Sequence, residues 1–531
     1  AKAIAVKISD GSTSDIIYPT GTTITSSVDM IQAFHKVFIF RDGAVALEWN
    51  GSFSGTPAFT LVGNGDYTQP AKLDATGFVI ASGVATVTVS NTLAVGDTVV
   101  LTTVGGSTLT KGSEHTVATR SSSAFTFFVD NADVSDQTDT EWTQKVSAGI
   151  GFIHMPAPPF GIIHQTRLVL PFDYTTSGSS GSATITNRGI RDEVIFSDIL
   201  DTDTYDQIYA QFRLNAGTSD FIVGFLSFAE DKLVVFNRNS IHLISGSSDP
   251  TTATSQLITG EVGCVARKTI TQIGNNIMFL SDNGLYSVSF QDLYNLRGDD
   301  LPVSTNIEKT INRINKAHVS KALGVYFENK YYLAVPLDDA IVNNSIIVYN
   351  FLNQKWESVD SVNDSNWEAH NLIIAGNDDD RGVYVVNQQG GVHQLDSRND
   401  DVDVVITQIG SAQRSIPILG TATTRMFTAQ SVDRKKWNNW DLHVQSSDTN
   451  ESDATLTAIT ENIDDTISIG TINEYNGGLL SVGEDVSLRG RFGNRRAYGL
   501  QFKLDTTQGR PKFRAVKIAG AQTFRHLEKA D

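Results

Sequence analysis

The sequence predicts an all-β protein: a β-propeller with an inserted small β module and a C-terminal β-sandwich-like domain. Three observations lead to this fold class. Apolar and polar residues alternate at period two, short turn sequences divide the alternating segments into hairpins, and similar hairpins recur at intervals of some tens of residues. Repetition on this scale is typical of radial β-architectures, in which two hairpins make one four-stranded blade.

The repeated unit is a strand, a tight turn and a second strand. One predicted turn is Arg41-Asp42-Gly43 and another is Asp282-Asn283-Gly284, both of which carry the glycine that hairpin turns favour. The six predicted hairpins cover residues 36–49, 231–246, 275–290, 324–336, 345–359 and 382–396. No WD or kelch dipeptide marks the repeats, so the sequence leaves the number of blades open.

Composition shifts divide the chain into four predicted segments. Residues 1–50 are expected to form the first propeller strands, and residues 51–147, which are rich in Thr, Ser and Gly, an inserted β module. Residues 148–400 would complete the propeller. Longer strands follow the acidic run at 398–403, so we expect residues 401–531 to form the C-terminal β-sandwich-like domain.

One segment, residues 301–317, favours a helix. Thr305 and Glu308 have the spacing of a capping box, which would satisfy the first backbone amides of that helix. Three isoleucines would then share one face: Ile307, Ile311 and Ile314. We therefore expect a single surface helix whose apolar face packs on a sheet.

Charge and cysteine content exclude several classes of protein. The 531 residues carry a net charge of −18, and a uniformly acidic surface repels duplex phosphates, which argues against a DNA-reading protein. The single cysteine, Cys264, cannot form an intrachain disulfide. The longest apolar run, residues 221–228, is far shorter than the ~20 residues of a membrane span, so we expect no membrane-spanning segment.

Positive charge collects near the C-terminus. Across residues 489–531, eleven Lys and Arg residues outnumber three Asp and Glu residues, which gives +8 there and leaves −26 on residues 1–488. Four arginines beside aromatic residues are the candidate assembly or partner-binding residues: Arg489, Arg491, Arg495 and Arg496. Such a segment can bind a nucleic-acid backbone or an acidic protein, or it can be a strand pair with solvated arginines. Because the remaining chain is acidic, we favour contacts with acidic surface on neighbouring subunits.

The sequence offers no signature of a catalytic, cofactor-binding or metal-binding site. It lacks phosphate-binding loops, the HExxH metal motif and the GxSxG nucleophile elbow. His154 and His164 form a close pair, which we interpret as structural histidines rather than metal ligands. Cys264 lies in an apolar context that predicts a buried strand. We therefore expect no enzymatic activity, no cofactor and no metal.

The order of strands between residues 191 and 289 resembles a known family. A VIFSD strand and a DFIVGF strand feed the hairpin DKLVVF–SIHLISG, and KTITQIGNNIMFLSDNGLYSVS, the predicted helix and an NQKW hairpin follow. This pattern resembles bacteriophage tail nozzle proteins, also called tail tubular protein B or stabilisation proteins of short-tailed phages. The resemblance covers roughly residues 31–49 and 149–396. Residues 86–103 with 122–129 resemble a small β module inserted into phage tail proteins.

The resemblance implies a structural role in the virion tail. Members of this family are propeller subunits of a homohexameric ring, which prolongs the DNA exit channel below the portal and the tail adaptor and retains the packaged genome until ejection. An adaptor ring, tail fibres or spikes, and DNA passing without sequence-specific binding are the partners that it implies. An acidic channel would let DNA slide, because fixed anions repel phosphates. Assembly would take place in the host cytoplasm.

Two alternatives stay open. The chain could be a glycan-binding or glycan-cleaving propeller of a receptor-binding tail component, which would need exposed aromatic residues near paired carboxylates. The nearest aromatic candidates for such a site are Trp356, Trp367 and Tyr384. A surface adhesin built of β modules is a weaker alternative, because the chain cannot form an intrachain disulfide.

Overall fold

A computed structural model describes most of the chain. The described residues are 3–6, 13–20, 22, 24, 28–41, 44–53, 56–62, 72–103, 109, 113–130, 140–146, 149–150, 152–153, 155, 158–172, 174–177, 184–187, 191–202, 205–206, 210–215, 218–250, 252–292, 295–298, 301–361, 368–376, 381–387, 391–395, 402–405, 414–417, 419–430, 433–446, 451–461 and 465–522. The chain divides into two compact units, residues 1–320 and 321–531, which are described separately.

The N-terminal unit begins with a hairpin and the first of several four-stranded antiparallel sheets, here called blades. The hairpin consists of β1 (Ala3–Val6) and β2 (Thr13–Ile16). Blade 1 consists of β3 (Asp29–Ala33), β4 (Lys36–Arg41), β5 (Ala44–Trp49) and β6 (Thr60–Leu61). Phe38, Ile39 and Phe40 are buried in succession, so β4 contributes apolar side chains to both faces of the blade.

An inserted module follows blade 1 and has a core of its own. Its strands are β7 (Lys72–Ala75), β8 (Gly77–Ala81), β9 (Val84–Thr88), β10 (Thr98–Thr103), β11 (Glu114–Thr116), β12 (Thr119–Ser121), β13 (Ala124–Phe128), β14 (Thr140–Val146) and β15 (Gly149–Ile150). One sheet has the order β11-β10-β14-β15, with β7 also paired to β14, and the other has the order β12-β13-β9-β8. Both sheets contribute to one buried cluster, which contains Phe78, Leu101 and Phe125, because their inner positions alternate with exposed ones.

Blades 2, 3 and 4 complete the N-terminal unit. The strands between residues 152 and 213 are β16 (Phe152–Ile153), β17 (Ile162–His164), β18 (Arg167–Phe172), β19 (Tyr174–Ser177), β20 (Thr184–Asn187), β21 (Glu193–Phe196), β22 (Tyr205–Asp206) and β23 (Gln211–Arg213). The next strands are β24 (Ile222–Phe228), β25 (Lys232–Asn237), β26 (Ile241–Ser245), β27 (Thr254–Thr259), β28 (Thr271–Ile273), β29 (Asn276–Ser281), β30 (Gly284–Asp292) and β31 (Asn295–Gly298). Blade 2 has the order β17-β18-β21-β23, and blades 3 and 4 are the meanders β24–β27 and β28–β31.

Successive blades pack face to face. One buried cluster joins Phe40 of blade 1 to Leu170 of blade 2, and a second joins Phe196 of blade 2 to Val235 of blade 3. A third joins blade 3 to blade 4, where Phe236 and Phe279 have ring centroids 5.1 Å apart. Consecutive meander sheets that bury their faces against each other are the defining feature of a β-propeller, so the all-β propeller prediction is confirmed.

Two further blades open the second unit. Blade 5 consists of β32 (Leu323–Phe327), β33 (Lys330–Val335), β34 (Ser345–Asn350) and β35 (Lys355–Asp360). The three strands described for blade 6 are β36 (Asn371–Ala375), β37 (Gly382–Val386) and β38 (Val392–Gln394). A cluster that contains Tyr332, Val348 and Val385 joins the two blades. A separate hairpin follows, β39 (Val402–Val405) and β40 (Arg414–Pro417).

The C-terminal part of the second unit consists of two sheets that share one core. Its elements are β41 (Thr421–Thr423), β42 (Lys435–Gln445), β43 (Asp453–Thr460), β44 (Thr466–Thr471), the helix Ile472–Asn476, β45 (Asp485–Ala497), β46 (Leu500–Gln508) and β47 (Lys512–Gln522). The sheet orders are β41-β46-β43-β44 and β45-β42-β47. Trp437 and Trp440 of the second sheet lie in one cluster with Leu456 and Phe502 of the first, an arrangement typical of a β-sandwich. The predicted boundaries at residues 50, 147 and 400 stay predictions.

The predicted helix at residues 301–317 is wrong in length and in its cap. The segment forms a 3₁₀ turn, Thr305–Ile307, and then one α-helical turn, α1 (Glu308–Ile311). The Thr305 hydroxyl donates to the Pro302 carbonyl at 2.6 Å instead of capping the helix. A capping box does form in the described chain at α2 (Ile472–Asn476), between Thr471 and Glu474.

The six predicted hairpins are confirmed, since each predicted range contains two paired strands. The prediction of a strand at Cys264 is wrong: the residue is buried, but it lies in an irregular segment, where its amide donates to the Asn237 carbonyl at 2.9 Å. No helix of the described residues has the length and apolarity of a membrane span; α2, with five residues, is far too short.

Candidate functional site

The predicted arginines lie on one long strand of the C-terminal sandwich. In β45 the side chains of Leu488 and Phe492 are buried in the core, whereas Arg489 and Arg491 are exposed. Period-two alternation therefore places both arginines on the outer face of the three-stranded sheet. Arg496 is exposed near the end of the same strand. The side chain of Arg495 lies outside the described residues, so its part in the cluster stays a prediction.

The outer face of this sheet combines both signs of charge. In the register of the sheet, Asp441 on the central strand β42 lies directly between Arg489 on β45 and Lys517 on β47. Arg489 Nε is 3.4 Å from Asp441 Oδ1. Arg491 lies two residues further along the strand on the same face, opposite Asn439, a neutral residue. The surface thus keeps cationic side chains in solvent, although one of the predicted arginines is partly neutralised within its own sheet.

A second feature is a cavity of about 500 Å³ inside the N-terminal unit. Its walls include Asp29 at the start of β3, Phe160 before β17, Phe221 before β24, and Arg267 before β28. Residues at the start of the first strand of each of the four blades therefore meet at one place, as the first strands of blades around a common axis do. Lys316, which follows blade 4, completes this wall.

The described residues that line the cavity do not include the paired carboxylates that glycan cleavage needs. Asp29 is the one carboxylate among its described lining residues, and an Arg267 Nη2–Asp29 Oδ1 contact of 2.7 Å ties it to a cation. No group of three or more His, Cys, Asp or Glu side chains among the described residues is arranged to hold a metal ion.

The aromatic candidates for a glycan site are not among the described residues that line this cavity. Trp356 belongs to the second unit, where it is half-buried and packs against Tyr349 with ring centroids 5.0 Å apart. Tyr384 is half-buried on β37 in the same unit. Trp367 lies outside the described residues.

His164, the last residue of β17, joins blade 2 to blade 3. The buried ring has Nδ1 2.7 Å from Ser227 Oγ and Nε2 2.5 Å from Ser247 Oγ. Burial lowers the pKa of His164 to about 4, against a smaller opposing effect of Asp231, so the imidazole is neutral at pH 7. Its hydroxyl partners are those of a structural histidine. His154, its predicted neighbour, lies outside the described residues.

Cys264 has the chemistry of a core residue. Burial raises the pKa of its thiol to about 12, against smaller lowering effects of hydrogen bonds and nearby arginines. The Sγ donates to the Ala266 carbonyl at 3.3 Å. Because the thiolate is the nucleophile, a thiol that stays protonated at neutral pH has little reactivity.

Sequence reasoning missed the cavity because its charged residues are far apart in the chain. Five cationic residues line it: Arg191, Arg238, Arg267, Lys268 and Lys316. One signal was available, since Arg267 and Lys268 lie just before the first strand of a repeat, and such positions converge once repeats are arranged radially.

Part of the chain matches a family of phage proteins. Residues 184–378, a little over a third of the sequence, match the Phage_stabilise family model, described as Bacteriophage P22 Gp10, beta-propeller. The matched range lies within the residues for which the strand pattern alone resembles phage stabilisation proteins, and it runs from blade 2 into blade 6. The match supports a phage tail protein with a β-propeller fold.

Comparisons with curated proteins and with solved structures do not identify a function. No curated protein matches the chain. Among solved structures, it is similar to the endosialidase of phage phi92 (12% identity over 71% of this chain and 64% of that chain, TM-score 0.21). It is also similar to the computationally designed Ika8 protein (10% identity, 68% and 93%, TM-score 0.25) and to apo AztD from Citrobacter koseri (12% identity, 67% and 76%, TM-score 0.25). Likenesses at these scores support no inference about function. Over residues 184–378 the chain is thus similar to the propeller of a phage stabilisation family.

Proposed function

We propose that this chain is a structural protein of the virion tail, which forms a nozzle ring that extends the DNA exit channel and retains the packaged genome until ejection. The observation that carries the proposal is the match of residues 184–378 to the phage P22 Gp10 propeller family. The propeller serves as a rigid scaffold in this role, because face-to-face packing of its blades buries an apolar cluster at each junction described.

In this proposal, copies of the chain form a homohexameric ring in the virion tail, assembled in the host cytoplasm. The exposed Arg489 and Arg491 on β45 would face acidic surface of a neighbouring subunit or of the adaptor ring above. The large negative charge of the remaining chain supports such a pairing, since complementary patches orient the partners. Tail fibres or spikes would be further partners.

The proposed duty is mechanical, without catalysis or a cofactor. DNA would pass through the ring without sequence-specific binding, because an overall net charge of −18 repels phosphates at long range. The glycan-binding or glycan-cleaving alternative requires a different arrangement, with carboxylates and exposed aromatic rings at one mouth.

Two measurements on the purified chain and on particles test the proposal. Light scattering or native mass spectrometry at virion-like salt concentrations is expected to give six chains per assembly. Particles assembled without the chain are expected to package DNA and then lose it. A stable monomer under these conditions, or release of sugar from host polysaccharides by the purified chain, would overturn the proposal.

A further inference from the structure

The cavity of the N-terminal unit is rich in positive charge within an acidic protein. Five cationic residues line it against one described carboxylate, Asp29, whereas the whole chain has 41 Lys and Arg residues against 59 Asp and Glu residues. The cationic residues come from separate segments between residues 191 and 316. Folding therefore brings like charges together, at an electrostatic cost that needs an explanation.

Three of the five cations have partners inside the unit. Arg267 contacts Asp29, and its guanidinium lies 4.8 Å from the centroid of the Phe160 ring. Arg238 makes a bidentate contact with Asp282, with Nη2–Oδ1 at 2.8 Å, and Lys316 Nζ donates to the Asp282 carbonyl. These contacts fix the positions of the cationic groups, and the two carboxylates only partly balance them.

The other two, Arg191 and Lys268, have no carboxylate partner among the described residues. Arg191 lies with its guanidinium carbon 5.7 Å from the centroid of the Phe221 ring, an arrangement that leaves the guanidinium edge able to donate. Lys268 is half-buried beside Arg267. Burial lowers the pKa of Lys268, and Arg267 lowers it further, against an opposing effect of Asp29.

The walls between the cations are apolar. They include Phe160, Phe221, Val223 and Val265, so the cavity combines aromatic and aliphatic surface with a few charged donors. A volume of about 500 Å³ lies in the usual range of sites for small molecules. A bound anion would relieve the repulsion among the cations, and it would accept hydrogen bonds from more than one blade.

We propose that this cavity is a binding site for a compact polyanion, a small molecule with at least two phosphate or carboxylate groups. Arg191 and Lys268 donate to the anionic oxygens, Arg267 and Lys316 add positive potential, and the rings of Phe160 and Phe221 flank the bound molecule. The bound molecule contacts residues that lie just before the first strands of several blades. The site lies within the N-terminal unit, and its proposal does not depend on the proposed tail role.

Isothermal titration calorimetry and thermal unfolding of the full chain test the proposal, with tripolyphosphate and citrate as probes at matched ionic strength. Saturable binding of one molecule per chain, with a Tm that rises with probe concentration, is expected for at least one of them. Preference for tripolyphosphate would identify phosphate as the ligand chemistry, and preference for citrate would identify carboxylate. Absence of saturable binding by both probes would overturn the proposal.

Variants locate the binding site. Lys268→Met and Arg191→Met are each expected to weaken binding roughly tenfold or more, because each removes a charge-assisted hydrogen bond. Arg120→Met, which removes an exposed charge from the inserted module, is the matched control and is expected to leave binding unchanged. Equal weakening by Arg120→Met, or unchanged binding in both cavity variants, would overturn the proposal.

A stability readout separates a ligand site from a structural ion cluster. Without anion, the Lys268→Met variant is expected to have a Tm equal to or higher than that of the wild-type chain. The substitution removes a partly desolvated cation that Arg267 repels. A structural role would give a lower Tm in the absence of anion. If Lys268→Met folds poorly, that loss itself contradicts the proposal, and Arg191→Met still tests the cavity's affinity.

Discussion

His164 shows how one buried side chain links pH to the stability of the blades. Its folded pKa of about 4 lies below the ordinary value of 6.5, so the unfolded chain binds more protons between these values. The contribution to stability is complete above pH ~6.5 and is lost as the pH falls towards 4. The buried His242, whose pKa burial also lowers, adds an effect of the same sign.

We predict that His164→Gln, which cannot titrate, reduces the loss of unfolding free energy between pH 6.5 and 4 by roughly 3 kcal/mol. Urea unfolding at several pH values, followed by tryptophan fluorescence and circular dichroism, measures this difference. His370→Gln, at an exposed histidine, is the control and is expected to keep the wild-type dependence. A His164→Gln protein with the wild-type pH dependence would contradict the assignment.

Cys264 gives a second prediction for a single residue. Because burial raises the pKa of its thiol to about 12, the folded protein is expected to react with dithionitrobenzoate at least a hundredfold more slowly than a free thiol at pH 8. Urea-unfolded protein is expected to react with one thiol per chain, the number in the sequence. Rapid stoichiometric labelling of the native protein would contradict the burial.

At the scale of the elements, the packing of the basic strand β45 beside β42 requires a glycine at one position. Gly490 lies directly opposite Trp440 in the register of the sheet, and a β-carbon at Gly490 would be 2.7 Å from the ring Nε1. Gly520 on β47 has the same relation to Trp437. Each tryptophan of β42 thus covers a glycine on a neighbouring strand, which lets two large rings fill the sandwich core.

Gly490→Ala is expected to destabilise the C-terminal sandwich by about 1–3 kcal/mol, because the added methyl group overpacks the Trp440 ring. Differential scanning calorimetry of the full chain would measure the change. Gly478→Ala, where the added β-carbon meets open space, is the matched control and is expected to cost much less. Equal stability of the two variants would show that the ring does not lie over Gly490.

A prediction about assembly concerns the outer face of β45. Reversal of two charges, Arg489→Glu with Arg491→Glu, is expected to reduce the fraction of chains in the assembled ring at least tenfold, since it places like charges at the proposed contact. The control reverses two exposed cations elsewhere, Lys355→Glu with Arg381→Glu, for the same change in net charge. Analytical ultracentrifugation measures both, and an equal effect of the two double variants would contradict a specific contact.

The elements also show how far sequence reasoning reaches. Period-two patterns and short turn sequences located all six predicted hairpins, because these signals are local. The helix prediction failed because the hydroxyl groups of Thr305 and Ser304 form hydrogen bonds with other residues instead of capping a helix. The hydroxyl of Thr305 donates to Pro302, and that of Ser304 accepts from the Leu285 amide at 3.0 Å, so distant strand pairing decides how this segment folds.

Sites were harder to predict than strands, for a physical reason. The arginine cluster on β45 was visible because its members are close in sequence, and alternation places Arg489 and Arg491 on a common face. The cavity cations were not visible, since Arg191 and Lys316 are far apart in sequence and meet only through the packing of successive blades. Period-two patterns specify which face of a sheet is buried, but they do not specify which sheet covers it.

At the scale of the whole molecule, charge and architecture act together. An acidic chain with a basic sheet face has the charge asymmetry that the proposed self-assembly requires. Copies that associate through complementary faces close into a ring when the rotation between them permits it.

Electron cryomicroscopy of the intact particle, with the chain identified by a C-terminal tag, tests the central claim most directly. We predict six copies in a ring around the DNA exit channel at the distal end of the tail tube. Copies found as peripheral spikes, or a particle without this chain, would contradict the proposed role.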